Sequence, residues 1–286
     1  MRQTKVLIMA GGTGGHVFPG LSVAKALMET GCSVVWVGTK EGIENKLVPE
    51  AGIDIEFISV MGLRGKNIRT TLIALRRMFI AFFQSCLILV RNRPNVVLGM
   101  GGFVSGPGAL AAFFLRYPLI IHEQNAVPGS TNRFLSRIAS SVLEAFPNSF
   151  PSNIKARTIG NPVRQEIVEI EEPKKRLEDR HGPIRILVIG GSQGSLTLNK
   201  AVPMALKELS SITKIEVLHQ AGYKTISQAK EAYENVSVGL YLVEFIEDIA
   251  DAYKWADMVI CRSGAMTVTE LTNAGLPAIF IPFSMA

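Results

Sequence analysis

The chain has 286 residues, 48% hydrophobic and 19% charged, enough for two domains of ordinary size with real cores. Its three cysteines, Cys32, Cys86 and Cys261, lie far apart without a CxxC pair, which argues against a zinc site or a disulfide framework and for a reducing compartment. The charge is uneven: residues 1–160 hold 17 Lys/Arg against 8 Asp/Glu, residues 161–286 hold 13 against 16, and the acid-free stretch 57–122 carries Arg64, Lys66, Arg69, Arg76, Arg77, Arg91, Arg93 and Arg116. A basic half of this kind suggests an anionic partner, which could be nucleic acid, anionic lipid or a phosphorylated substrate.

The N-terminus runs straight into a strand-like segment, Lys5–Ala10, with no charged and apolar leader, so no signal peptide is expected. In chain order the pattern predicts strands over Val6–Met9, Ser33–Val37 and Ile55–Ile58, with a helix over Pro19–Thr30 between the first two. A long helix follows over Arg69–Arg91, then a strand at Val96–Leu98, a helix at Gly106–Phe114, a strand at Leu119–His122, a helix at Ser130–Ile138 and a strand at Ser141–Leu143. The second half repeats the alternation. Strands are expected at Ile184–Ile189, Ile215–His219, Met258–Ile260 and Ala278–Ile281, and helices at Leu196–Leu209 and Val268–Asn273. Short continuous apolar strands between helices indicate parallel sheets covered on both faces.

Each half opens alike: Lys5–Ala10 precedes Gly-Gly-Thr-Gly-Gly, and Arg185–Ile189 precedes Gly-Gly-Ser-Gln-Gly. Two copies of one architecture are expected, with domains over 1–162 and 163–286 and a polar connecting stretch from Gly160 to Gly182. Within the long helix, Met78–Val90 is too short to span a bilayer, which takes ~20 apolar residues. It is either a buried helix or an interfacial one whose apolar face meets lipid while Arg64, Lys66, Arg69, Arg76 and Arg77 meet headgroups.

A glycine turn between strand and helix lets the backbone approach a phosphate at a helix N-terminus. Three such turns occur, Gly11–Gly15, Gly99–Gly102 and Gly190–Gly194. None reads GxGxxG, and the second strand ends in Gly38-Thr39-Lys40 instead of a ribose-binding acid. No Walker A sequence is present. NAD and ATP fall behind, and a separate nucleotide or phosphorylated sugar remains.

Met9-Ala-Gly-Gly-Thr-Gly-Gly-His-Val-Phe-Pro-Gly20 resembles the N-terminal motif of the MurG-type N-acetylglucosaminyltransferases. So do Val97–Gly108, His122-Glu-Gln-Asn125, Gly160-Asn-Pro-Val-Arg164, Gly190–Gly194, Glu244-Phe-Ile246, Cys261–Glu270 and Ala274–Pro277, in order over nearly the whole chain. The resemblance implies an α/β fold of the GT-B type, two Rossmann-like domains with parallel sheets facing a cleft. It implies UDP-N-acetylglucosamine as donor on the C-terminal domain and undecaprenyl-pyrophosphoryl-N-acetylmuramyl pentapeptide as acceptor on the N-terminal one. The transfer would invert the anomeric centre, and the anionic surface met by the basic half would be a membrane on its cytoplasmic face, not nucleic acid.

The same resemblance assigns residues. Glu270 would hold the ribose hydroxyls, with helix capping as its rival role. The turn Ala265, Met266, Thr267, Val268 and Thr269 would meet the pyrophosphate and stabilise departing UDP. Ser192 and Arg164 would contact the donor, and Ile246 would hold the uracil through its backbone. Thr13, Gly14 and Gly15 would sit near the transferred sugar and the acceptor pyrophosphate, and Asn125 would hydrogen-bond the sugar. An inverting transfer needs a base for the acceptor hydroxyl, and a histidine ordinarily titrates near neutrality. His16 is the first candidate, with pyrophosphate binding or loop capping as the rival role, and Glu123 is the second. No DxD-like pair or His/Asp cluster is present, so no protein-held metal and no cofactor are expected.

In the family, the point reached at Pro282–Ala286 is followed by a donor-binding stretch and closing helices, so the resemblance implies a C-terminal domain incomplete at its end. The competing readings are a nucleotide-sugar epimerase of the same architecture, which needs no lipid-facing patch, and a non-catalytic module binding nucleotide-sugar or lipid.

Overall fold

The computed structural model describes residues 3–60, 68–191 and 194–282, and of residues 68–72 and 74 the backbone only. The chain divides into two compact units, Met1–Arg164 and Gln165–Ala286. In chain order the first contains β1 (Lys5–Met9), α1 (Gly14–Glu29), β2 (Ser33–Gly38), α2 (Glu44–Glu50), β3 (Asp54–Phe57) and α3 (Ile68–Asn92). It continues through β4 (Val96–Gly99), α4 (Gly102–Phe114), β5 (Leu119–Glu123), α5 (Ser130–Leu135), β6 (Ser141–Glu144) and β7 (Ala156–Thr158). All seven strands are parallel, in the order β3-β2-β1-β4-β5-β6-β7.

The continuous apolar run of β1 follows from burial on both faces. Val6, Ile8 and Ala10 pack with Val17, Leu21, Ala24 and Trp36, whereas Leu7 and Met9 pack with Leu89, Val97, Val104 and Ala109. Alternation thus sends successive side chains to two different cores. The indole of Trp36 is fully buried and donates to the Ala10 carbonyl (2.9 Å), which ties β2 to the end of β1.

Helices α1 and α4 begin at Gly14 and Gly102, several residues before Pro19 and Gly106, where periodicity predicts them. Glycines that read as loop form the first turn of each helix, and Pro19 and Pro107 are accommodated in the next. The hydrogen bonds they forgo are the ones to Gly15 and Phe103, close to the helix starts.

The long helix α3 is buried along one face and exposed along the other. Ala81, Ser85, Ile88 and Leu89 face the core, while Phe79 (68% exposed), Phe83 (60%) and Leu87 (72%) form a stripe on the opposite side with Val90. Phe82 bridges this stripe to α4 through edge contacts with Phe83 (5.4 Å) and Phe114 (5.9 Å), and Phe114 is itself 67% exposed. Arg76, Arg77, Arg91 and Arg116 are exposed on the same two helices or at their ends. Arg64 and Lys66, and the Arg69 side chain, lie outside what is described. No helix among the described residues is long and apolar enough to cross a membrane.

The second unit contains α6 (Gln165–Val168), α7 (Pro173–Arg176), β8 (Ile184–Ile189), α8 (Leu196–Leu209), β9 (Ile215–Gln220) and α9 (Ile226–Ala232). It ends with β10 (Gly239–Val243), α10 (Ile249–Trp255), β11 (Met258–Arg262), α11 (Ala265–Ala274) and β12 (Ala278–Ile281). Its sheet is also parallel, in the order β10-β9-β8-β11-β12. That order matches β3-β2-β1-β4-β5 element for element, so the internal echo in the sequence is an echo in topology.

A polar cluster is buried within this unit. His219 is wholly buried, with Nδ1 2.9 Å from the Tyr233 hydroxyl and Nε2 3.1 Å from Asn199 Oδ1. Asn199 Nδ2 in turn donates to the carbonyls of Ala221 and Thr225 (3.1 Å each), pinning the β9–α9 loop. Burial pushes the His219 pKa down to about 4 from its ordinary 6.5. The unfolded chain therefore takes up a proton below pH 6.5 that the folded chain refuses until about pH 4. His219 should contribute its full stabilisation above pH 6.5 and lose it as the pH falls toward 4, about 3 kcal/mol in all. Urea titrations at pH 7 and pH 4.5 should show this loss, and His219→Gln should be weaker at pH 7 yet flatter between the two.

Candidate active site

In both sheets the strand order reverses beside the central strand, between β1 and β4 and between β8 and β11. Helices leave such a pair toward opposite faces, and the crevice at the strands' carboxyl ends is where parallel α/β sheets bind ligands.

At the first switch point α1 starts without a side-chain cap. The N–H groups of His16 and Val17 return to the Thr13 carbonyl (3.1 and 3.2 Å), which leaves those of Gly14 and Gly15 without an intrahelical acceptor. Thr13 and Gly15 are exposed there, so the predicted trio Thr13, Gly14 and Gly15 forms an open anion-binding helix start. His16 is the third residue of that turn and is half-buried.

The imidazole of His16 rests on the β4–α4 turn. A Cβ at Gly101 would stand 3.0 Å from its Cε1, and a Cβ at Gly102 would stand 3.2 Å from its Cδ2 and 2.8 Å from the Gly11 carbonyl. Both glycines have positive φ, 93° and 75°. This glycine turn forms the seat of the His16 ring.

On the far side His16 Nδ1 lies 3.0 Å from Gln124 Oε1. Gln124 Nε2 lies 3.1 Å from His122 Nδ1, and His122 Nε2 lies 3.0 Å from the Gly160 carbonyl. Asn161 Nδ2 donates to the Gln124 carbonyl (3.0 Å). His122 and Gln124 are buried, and desolvation lowers the His122 pKa below its ordinary value, against the Gly160 bond and the nearby Glu123 charge, which raise it.

Glu123 is only 1% exposed, and both its oxygens are engaged. Oε1 accepts from Asn125 N (3.0 Å) and Nδ2 (2.9 Å), and Oε2 accepts from Gly129 N (3.1 Å) and Asn132 Nδ2 (3.0 Å). A carboxylate so occupied organises the loop after β5. Asn125 is exposed with its Nδ2 committed to Glu123, which turns Oδ1 outward.

Two sets of contacts in this unit, those of Glu44 and the stacking of Arg164, are not foreseen from sequence. Glu44, fully buried, reaches under the first glycine turn and accepts from Gly12 N (3.1 Å), Thr39 N (2.9 Å) and Thr39 Oγ1 (2.8 Å). Its carboxylate faces the loop backbone. Arg164 stacks over the Phe18 ring (4.7 Å to its centroid), and that ring lies under Gly14, so the guanidinium adds positive charge beside the α1 start.

At the second switch point α11 begins at Ala265 after Gly264, again without a side-chain cap. Val268 N returns to the Gly264 carbonyl (2.9 Å), leaving the N–H groups of Ala265, Met266 and Thr267 at the open end, and Thr269 Oγ1 donates back to the Ala265 carbonyl (2.9 Å). Glu270 lies in the second turn, not the first, which removes the capping alternative; it is buried, and its Oε2 accepts from the Tyr253 hydroxyl (3.1 Å).

The start of α8 differs, because Ser195 Oγ caps it through Leu198 N (3.4 Å) and accepts from Arg262 Nη2 (2.8 Å). Ser192 lies outside the described residues. Ile246 N donates to Gln220 Oε1 (3.1 Å), so its carbonyl is the group it would present to a base. Among the described residues no three His, Cys, Asp or Glu side chains group closely enough to hold a metal ion.

The N-terminal domain of glycosyltransferase family 28 matches residues 6–144, and the C-terminal domain of the same family matches residues 185–286. A protein of Photorhabdus laumondii named UDP-N-acetylglucosamine--N-acetylmuramyl-(pentapeptide) pyrophosphoryl-undecaprenol N-acetylglucosamine transferase is 51% identical over 99% of this chain and 78% of its own length. A protein of the same name from Pectobacterium carotovorum is 50% identical over 98% of this chain and 76% of its own. The crystal structure of Acinetobacter baumannii MurG superposes with a TM-score of 0.79 at 39% identity, covering 99% of this chain and 80% of that one. The glycosyltransferase SnogD of Streptomyces nogalater, at 18% identity and a TM-score of 0.68 over 100% of this chain and 83% of its own, shares the fold alone.

The four donors on Glu123 give a direct test of its role. Glu123→Gln puts an amide NH2 against two of them, and the variant should unfold with a loss of about 3 kcal/mol in urea titration. Unchanged stability with lowered turnover would return Glu123 to the chemistry.

Proposed function

The chain belongs to glycosyltransferase family 28, and from that premise we propose that it transfers N-acetylglucosamine from UDP-N-acetylglucosamine to the C4 hydroxyl of an undecaprenyl-pyrophosphoryl-N-acetylmuramyl pentapeptide, inverting the anomeric carbon. The observation that carries this is the match to relatives so named across 99% of the chain, through both switch points.

The second unit takes the donor. The open amides of Ala265, Met266 and Thr267 face the pyrophosphate and stabilise the charge that gathers on UDP as the C1–O bond breaks. Glu270, steadied by Tyr253, accepts from the ribose hydroxyls, and the Ile246 carbonyl accepts from the uracil. Ser192 would add a hydroxyl to the donor phosphates.

The first unit takes the acceptor. Thr13, Gly14 and Gly15 meet its pyrophosphate, Asn125 bonds the transferred sugar, and Arg164, stacked on Phe18 beside them, contacts the donor. His16 receives the proton of the C4 hydroxyl as that oxygen bonds to C1. This half-site lies in the unit that carries the aromatic stripe of α3 and α4.

That stripe and its arginines dock on an anionic bilayer, which delivers the lipid-linked acceptor in two dimensions. The face is cytoplasmic, in keeping with three free cysteines and a nucleotide-sugar donor.

The test is transfer of labelled N-acetylglucosamine from UDP-N-acetylglucosamine to the muramyl lipid. Absence of transfer by the unsubstituted chain sinks the proposal. His16→Ala should lower kcat by about 10²- to 10³-fold, whereas Glu270→Ala should act mainly by raising KM for the donor. Near-normal turnover of His16→Ala would remove the base. In flotation assays the chain should bind vesicles containing phosphatidylglycerol, less at high salt, and Phe79→Ser with Phe83→Ser and Leu87→Ser should abolish binding while leaving soluble folding intact.

A further inference from the structure

A histidine acts as a base through one nitrogen only, and which one depends on where the other holds its proton. In this protein that is decided by a chain of contacts linking His16 to residues 108 positions away.

The chain can be read from its far end. The Gly160 carbonyl only accepts, so His122 Nε2, 3.0 Å from it, carries a proton. His122 is buried and desolvation lowers its pKa, which favours the neutral ring, whose Nδ1 is then bare and accepts. Gln124 Nε2 lies 3.1 Å from that nitrogen and 3.3 Å from the His122 carbonyl. Two acceptors around one amide atom identify it as the nitrogen, because an oxygen there would face a carbonyl with no proton between them. The amide oxygen therefore points at His16 Nδ1 (3.0 Å), and His16 must donate. Its Nε2 has no hydrogen-bond partner among the described residues, and the ring cannot slide away because Gly101 and Gly102 lie directly beneath it.

We propose that Gln124 is a positioning residue that holds His16 as its Nδ1–H tautomer, leaving Nε2 as the lone pair that receives the acceptor proton, with His122 and the Gly160 carbonyl fixing the direction of the relay. The kinetic part rests on His16 being the base, and the tautomer itself does not. A histidine locked in the wrong tautomer presents an N–H to the hydroxyl and cannot take its proton. In the Ser-His-Asp hydrolases that error alone lowers turnover by about 10⁴-fold.

The experiment is nitrogen NMR of the full chain with labelled histidine. Only four histidines are present, and His16→Ala identifies the signal of interest. At pH 8 the unsubstituted chain should show His16 with a protonated Nδ1 and a bare Nε2, and Gln124→Leu should show a mixture of tautomers. In the transfer assay Gln124→Leu should lower kcat by about 10- to 100-fold, with KM for the donor changed less than about twofold. Gln124→Glu keeps an acceptor on His16 Nδ1 and makes it a carboxylate, so the acid limb of the kcat/KM profile should move to higher pH, which a purely structural role would not produce.

A bare Nδ1 on His16 in the unsubstituted chain, or an unchanged His16 spectrum in Gln124→Leu, overturns the proposal whatever the chain's activity. The expected spectra with unaltered kcat would overturn the positioning role. If the chain transfers nothing, the tautomer assignment still stands or falls on the spectra, and only the proposed reaction is lost.

Discussion

The side chains of β1 leave alternately to two covered faces, Val6 and Ile8 to one core and Leu7 and Met9 to the other, and β8 is enclosed in the same way by its neighbours. A strand buried on both faces has no lateral surface to offer a ligand. Chemistry is confined to the ends of the strands, where the backbone turns and helix amides come free. That confinement explains why Thr13–His16 and Ala265–Glu270, far apart in sequence, are the places where uncapped helix starts lie at the strand ends. It also explains why the exposed apolar stripe lies elsewhere, on the outer surface of α3 and α4, the helices that form one of the covers.

Confinement brings a second problem, since loops at the strand ends must be stiff enough to aim their groups. The first unit meets it with buried polar side chains. Glu123 gathers Asn125, Gly129 and Asn132; Glu44 gathers Gly12 and Thr39; Gln124 joins the loop after β5 to the helix after β1. Each is a buried group with its hydrogen-bonding capacity engaged, which is the condition under which burial of a polar side chain is tolerated. The second unit uses a neutral His219 between Asn199 and Tyr233 for the same purpose, and holds Glu270 with Tyr253.

Much of this was legible in the sequence, for reasons that differ from element to element. The runs of β1, β2, β4 and β8 are doubly buried and read as continuous apolar segments, so their strands and the parallel architecture were apparent. β10, with its half-buried Gly239–Val243 at a sheet edge, and the three-residue β7 carry too little apolar signal and went unread. The starts of α1 and α4 were hidden because glycine is the wrong residue for a helix by propensity and the right one for close approach. At the site, glycine turns and the His122–Asn125 motif stood out as patterns, and the order of motifs identified the family. The work done by Glu123, Glu44 and Gln124 did not stand out. It depends on partners brought together by the fold, and a carboxylate that shapes a loop looks the same in sequence as one that moves a proton.

The turn at Gly101 and Gly102 has a consequence for how this site can diverge over generations. A side chain at Gly102 meets the Gly11 carbonyl, which is backbone and cannot yield, and also the flank of the His16 ring. The three positions 11, 16 and 102 therefore form one steric unit drawn from two separate stretches of chain. Drift at Gly102 is closed while the imidazole occupies its seat. A lineage that lost the ring would ease the crowding at Gly101 only in part, since Asn132 Nδ2 stands 3.3 Å away, and not at Gly102, where the carbonyl remains. Inheritance of the motif as a block is thus enforced by volume, independently of whether any of its glycines touches a phosphate.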